Sequence, residues 1–183
     1  LAQARRGLAT CDFAAEATKN PLPFSPKSLG SVVNGFTLQY FPALTVDQQT
    51  LIFTGRNLTG ERNDENIYLS TRQGDDWTPP VSLSDRINTA ENEGTCSISA
   101  DGRILVFTNC QGRRSFGSCD LFVSYKVGNE WSEPLNLGPK INTHSWESQP
   151  TLSADGRTLY FVSDRRGGYG KRDIWVSQVA ADG

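Results

Sequence analysis

Methionine is absent from this 183-residue chain, and histidine occurs only once, at His144. With one imidazole and no C-x-x-C pair, the Cys/His spacings of a structural zinc site are missing. The chain also lacks a Gly-x-Ser-x-Gly elbow, a His-based triad and a phosphate loop. No apolar run approaches the roughly 20 residues that a membrane-spanning helix needs. Charge of one sign is lacking as well: 18 basic residues face 20 acidic ones, for a net charge of −2. Overall charge therefore gives no reason to expect nucleic acid as a partner, and aromatic-interleaved basic strands are not seen. The chain opens Leu-Ala-Gln without an initiator, which we read as a processed product or a piece of a longer protein.

What the chain does have is itself, repeated. The run "VDQQTLIFT" beginning at Val46 returns as "ADGRILVFT" at Ala100 and "ADGRTLYFV" at Ala154, so Asp47, Asp101 and Asp155 are spaced 54 residues apart. The same spacing of 54 links Trp77 to Trp131, Ile87-Asn88-Thr89 to Ile141-Asn142-Thr143, and Glu93 to Glu147. "NIYLS" at Asn66 corresponds to "DLFVS" at Asp120 and, one residue short, to "DIWVS" at Asp173. "PKSLGSVVN" at Pro26 precedes "PVSLSDRIN" at Pro80 and "PLNLGPKIN" at Pro134 in the same register.

Each unit reads as four short strands. Asp-Gly between the first two marks a hairpin, because glycine accepts a positive φ. Gln48 replaces that glycine in the first unit and predicts a different turn there. The second and third strands are nearly continuously apolar, as expected when both faces are covered. A four-stranded sheet repeated every ~40–50 residues is the signature of a β-propeller blade. The predicted fold is thus all-β: a propeller segment of about three four-stranded blades, part of a larger six-bladed ring, after a short N-terminal α-helix. Residues 1–20 form that helix, read as the tail of an upstream helical domain. Residues 21–38 form a linker and the outer strand of a preceding blade. Blade one spans 39–92, blade two 93–146, and blade three 147–183, without its outer strand. Three blades do not close a ring, since propellers have about 4–8. Half of a larger ring is favoured over two copies that complete one another.

The pattern Ser-x-Asp-Gly followed by Asp-Ile/Leu-aromatic resembles the TolB-type, WD-repeat-like propeller repeat. The segments "CDFAAEATKNPLPFSPKSLG", "QYFPALTVD", "NEWSEPLNLGPKIN" and "SWESQPTLSADGRTLYFVSDRRGGYGKRDIWVS" resemble, more narrowly, the propeller of OmpA-family peptidoglycan-associated outer-membrane proteins. PorE-type subunits of type IX secretion belong to that family. The resemblance implies a periplasmic, outer-membrane-associated interaction or scaffold domain that is not an enzyme and needs no cofactor or metal. Its implied partners are other periplasmic or outer-membrane proteins, and peptidoglycan through a domain absent from this chain.

Residues present in every blade make the blade, since a catalytic group is needed once. On that ground the turn aspartates, Asp120, Asp173, Trp77 and Trp131 are read as structural. Glu93 and Glu147 precede the innermost strands and could approach the central channel. They are the residues on which an alternative, a carbohydrate-active propeller, would rest, because glycoside hydrolysis needs two carboxyl groups about 5–10 Å apart. A propeller regulating a peptidase is a second alternative. Residues that break the repeat are better candidates. Cys110 and Cys119 bracket the loop after blade two's second strand and are expected to form a disulfide; Cys11 and Cys96 are left unpaired. The loops between second and third strands carry Arg56, Arg62, Arg113, Arg114, Arg165, Arg166, Lys171 and Arg172 against Glu61, Asp64, Glu65 and Asp164. One rim is therefore expected to be basic. Arg113, Arg114, Arg165, Arg166, Lys171 and Arg172 are its partner-binding candidates.

Overall fold

The aspartate of each repeat bends the chain back on itself, and this turn sets the sheet around it. The computed structural model describes residues 2–58, 64–112 and 114–179. In the second turn the Ser99 hydroxyl donates to Asp101 Oδ1 at 2.6 Å, and the same oxygen accepts the Arg103 N–H at 3.1 Å. Thr45, Asp47 and Gln49 repeat the arrangement, as do Ser153, Asp155 and Arg157. The residue after each aspartate is left-handed: Gln48 at φ 58°, Gly102 at 71° and Gly156 at 68°. Blade one thus makes the same turn as its sisters, contrary to the expectation from Gln48. The bonds to Asp47 hold a non-glycine residue in a conformation it adopts only at some cost.

Three antiparallel sheets result. The first contains β1 (Leu38–Leu44), β2 (Thr50–Arg56) and β3 (Glu65–Gln73), with the short β4 (Asp76–Trp77) and β5 (Val81–Ser82) both paired to β3. The second repeats it with β6 (Asn92–Ile98), β7 (Ile104–Cys110), β8 (Cys119–Val127), β9 (Glu130–Trp131) and β10 (Leu135–Asn136). The third has β11 (Glu147–Leu152), β12 (Thr158–Ser163) and β13 (Asp173–Gln178). The fourth strand is therefore two pieces, not one. Pro79 and Pro80, or Pro134, fall between the pieces and offer no N–H to a ladder.

Stacking follows from the two-residue period of a strand. On β7, Leu105 and Phe107 face one way and Val106 the other, and all three are buried. Leu105 and Phe107 meet Ile52 and Ile67 of the first sheet, with Leu83 and Ile87 from the connecting segment wedged between. On the other side Val106 and Leu121 meet Leu159 and Phe161 of the third sheet, joined by Leu137 and Ile141. Each such side chain contributes about 1.5–3 kcal/mol on leaving water.

The connecting segment is fastened by an asparagine that imitates a strand. The Ile67 N–H donates to Asn88 Oδ1 at 2.9 Å while Asn88 Nδ2 donates to the Ile67 carbonyl at 2.7 Å. Asn142 makes the same pair with Leu121 at 2.8 and 2.9 Å.

The N-terminal helix, α1, spans Ala2–Ala17, and none of its residues is buried. The outer strand expected within 21–38 does not form. Ahead of β1 the segment holds α2, one helical turn at Gly30–Val33, and none of the three sheets offers it a third strand to pair with. No helix among the described residues is long and apolar enough to cross a membrane.

Candidate interaction rim

The loops leaving β7 and β12, together with the turn that enters β11, meet at one end of the second and third sheets. Asp120 organises the first loop: its carboxylate accepts the Phe116 and Gly117 N–H groups at 2.8 and 3.0 Å and Asn136 Nδ2 at 2.8 Å. Asp173 accepts the Gly170 N–H at 3.1 Å in the corresponding place. Gly117 is required because a Cβ there would run into the Ser145 carbonyl oxygen. This close approach ties the two loops, and His144 Nδ1 lies 3.1 Å from the Phe116 carbonyl.

Cys110 and Cys119 face each other at the end of the β7–β8 ladder and are joined by a disulfide, with Cα atoms 4.0 Å apart. Cys96 is a free buried thiol, pushed up to about 12 by loss of solvent, and Cys11 is free and exposed.

The basic residues separate into two groups. Arg165 belongs to the scaffold: its guanidinium lies 3.2 Å from Glu147 Oε1 and bonds the Ile141 carbonyl and the Ser163 hydroxyl. It also packs over the Phe161 and Trp175 rings. The side chain is 15% exposed and Glu147 is 0% exposed, so Arg165 is no docking residue. Removing one member of such a pair strands a buried charge, at a cost of about 3–5 kcal/mol. Arg56 is likewise occupied, 3.5 Å from Glu65, which also accepts the Tyr40 hydroxyl. Burial and that carboxylate together raise the Tyr40 phenol above its ordinary range.

Arg114, Arg166, Lys171 and Arg172 are exposed and make no ion pair among the described residues. Arg113, Arg62 and Glu61 lie outside the described residues. Arg172 stacks over Trp146, its guanidinium carbon 4.0 Å from the ring centroid. Tyr169 is fully exposed, and Phe116 is 41% exposed. Charge counting alone missed these aromatic neighbours. The signal was available: Trp146 stands where blade two has Asn92, so it too breaks the repeat.

Glu93 and Glu147 are both 0% exposed. Glu93 accepts the Thr89 N–H and hydroxyl at 2.9 and 2.6 Å and Asn109 Nδ2 at 2.7 Å. Glu147 accepts the Thr143 N–H and hydroxyl at 2.9 and 2.7 Å and the Ser163 hydroxyl at 2.8 Å. Both fasten the Ile-Asn-Thr segment to the next blade, and neither carboxylate is open to a substrate.

No family model and no curated protein matches the sequence. Solved structures do match in shape. TolB from Acinetobacter baumannii aligns over 79% of this chain at 16% identity and a TM-score of 0.52. Trypanosoma rangeli sialidase, in complex with the inhibitor DANA, aligns over 81% at 11% identity and a TM-score of 0.50. Prolyl oligopeptidase B from Galerina marginata aligns over 79% at 14% identity and a TM-score of 0.42. The chain spans 30% of the length of TolB, 30% of the sialidase and 21% of the oligopeptidase. At these identities the likeness is one of fold: a partial, TolB-like β-propeller.

Proposed function

We propose that this chain is a non-catalytic interaction module whose rim, across blades two and three, docks an anionic protein partner. The reading extends to its setting: a periplasmic, outer-membrane-associated protein of the OmpA family, with type IX secretion as the process served. One observation carries it. Arg114, Arg166, Lys171 and Arg172 stand exposed and without ion partners among the described residues, beside Trp146, Tyr169 and Phe116. Arginine and large aromatics are the residues that most often dominate binding energy at protein interfaces. Stacking on Trp146 also restricts the Arg172 fork before a partner arrives, which lowers the ordering cost of binding.

The carbohydrate-active alternative loses its two carboxylates to the scaffold, and the sialidase likeness does not restore them, because it is one of shape. The test is a fourfold charge reversal, Arg114→Glu, Arg166→Glu, Lys171→Glu and Arg172→Glu, leaving Arg165 intact. Capture of a partner from outer-membrane extracts should fall at least about tenfold, by ~1.4 kcal/mol or more, with an unchanged unfolding midpoint. Capture that survives the reversal would remove the docking reading.

A further inference from the structure

The aspartate turns lie at the opposite end of the strands from the rim, and between the first two blades they border a cavity of about 560 Å³. Small-ligand pockets occupy about 300–1,000 Å³. Ile52, Leu69, Leu83, Ile98 and Trp131 give this one an apolar floor, and Thr50 stands on its wall. At the second joint Ile104 holds the place of Thr50 and packs on the core there, as does Leu152, the counterpart of Ile98. Thr50 ends one carbon sooner and leaves the first joint less completely filled.

The mouth of the cavity carries both signs of charge, on opposite walls. Asp47 comes from the turn of the first sheet. Its Oδ1 accepts the Thr45 hydroxyl at 2.6 Å and the Gln49 N–H at 3.0 Å, while Oδ2 has no partner among the described residues. Those bonds, the hydroxyl's first, hold the carboxyl below its ordinary value, so it is an anion at neutral pH. Arg103 and Lys126 come from the second sheet, set side by side because the Lys126 N–H donates to the Arg103 carbonyl at 2.8 Å. Neither makes an ion pair among the described residues. Asp101, from the turn between them and the floor, balances the count at two of each sign.

A further donor belongs to the floor. Trp131 is 5% exposed, yet its indole N–H finds no acceptor among the described residues. A nearly buried donor in that state is an exception that calls for a partner. The Lys126 ammonium lies 5.9 Å from the centroid of the same ring.

We infer that this cleft binds a zwitterionic amino acid with a bulky apolar side chain. The side chain lies on the floor, the carboxylate meets Arg103 and Lys126, and the ammonium meets Asp47. Charge balance selects this class. A plain anion would also face the two aspartates, and a plain cation would face Arg103 and Lys126. An uncharged apolar molecule would desolvate the mouth and pair with none of it. Only a ligand with both charges is complementary to both walls.

The experiment is a titration of L-phenylalanine into the isotope-labelled chain. The amide resonances of Gly102 and Gly128, both on the cavity wall, should shift to saturation at millimolar concentration. Phenylpropionate and phenethylamine, which each keep one of the two charges, should bind at least about tenfold more weakly. Thr50→Ile, which places blade two's residue in blade one, should remove binding. Lys126→Ala alters an exposed side chain and needs no repacking; it should weaken binding about tenfold. No saturable shift with L-phenylalanine, equal binding of either single-charge analogue, or binding untouched by both variants would overturn the site.

Discussion

Blade two and blade three carry the same sheet, yet they are not buried alike. Along β8 the first six residues, Cys119 to Ser124, are all buried; along β13 none is, and partly covered residues alternate with exposed ones. The side chains are similar in kind, so composition does not make the difference. Among the described residues, blade two is packed by a sheet on each side and blade three by one. Burial here is a property of position in the stack, as in repeat proteins whose stability is a sum of unit and interface contributions.

The sharpest test sets equivalent residues against each other. Leu121→Ala should cost about 2–5 kcal/mol, because the cavity forms between two packed sheets. Ile174→Ala, at the matching position of blade three, should stay within about 0.5 kcal/mol in dilute solution. Urea unfolding of both variants measures the difference. Equal costs would mean that the outer face of blade three is covered even in the isolated chain.

Second in size is the disulfide, which blade two has and blade three replaces with Asp164 and Arg172. Cys110 and Cys119 are nine residues apart, and closing so short a loop restricts the unfolded chain by about 2–3 kcal/mol. Mass spectrometry without reductant should find the two cysteines linked, and Cys110→Ser with Cys119→Ser should lower stability by that amount. An unchanged midpoint would mean that the staple adds nothing to the stability of blade two.

The difference between the blades also marks how far the sequence could be read. The repeat of 54 placed the three sheets and the hairpin aspartates, because a motif seen three times constrains what any copy can be, while the cysteine pair showed itself by breaking that repeat. It placed Glu93 and Glu147 correctly as repeated residues, and the structure supplies their task. It did not separate Arg165 from Arg166. Adjacent arginines in a glycine-rich loop look alike in one dimension, and only the fold shows that the first turns inward to Glu147. Nor did it foresee the broken outer strand, although the prolines that break it were in plain view. At 21–38 an outer strand was expected and the segment instead carries one helical turn, because strand pairing depends on a neighbour that local sequence does not contain.

The turn aspartates are where the two blades should behave identically, and their expected effect is the smallest. The Ser99 hydroxyl, and then the Arg103 N–H, hold the Asp101 carboxyl below its ordinary value of 3.8; Ser153 and Arg157 do the same for Asp155. Because the folded value lies below the unfolded one, the ionised carboxylate contributes stability above that ordinary value. The contribution is lost as pH falls through the lower, folded value. Asp101→Asn and Asp155→Asn should therefore each flatten the acid limb of stability against pH slightly and to the same extent. Both carboxylates are open to water, so the change should stay small beside the packing and disulfide effects. Urea midpoints measured from neutral to strongly acid pH would decide it. A steeper loss for Asp101→Asn alone would show that even the turns, the most local feature of the repeat, depend on what is stacked against the sheet.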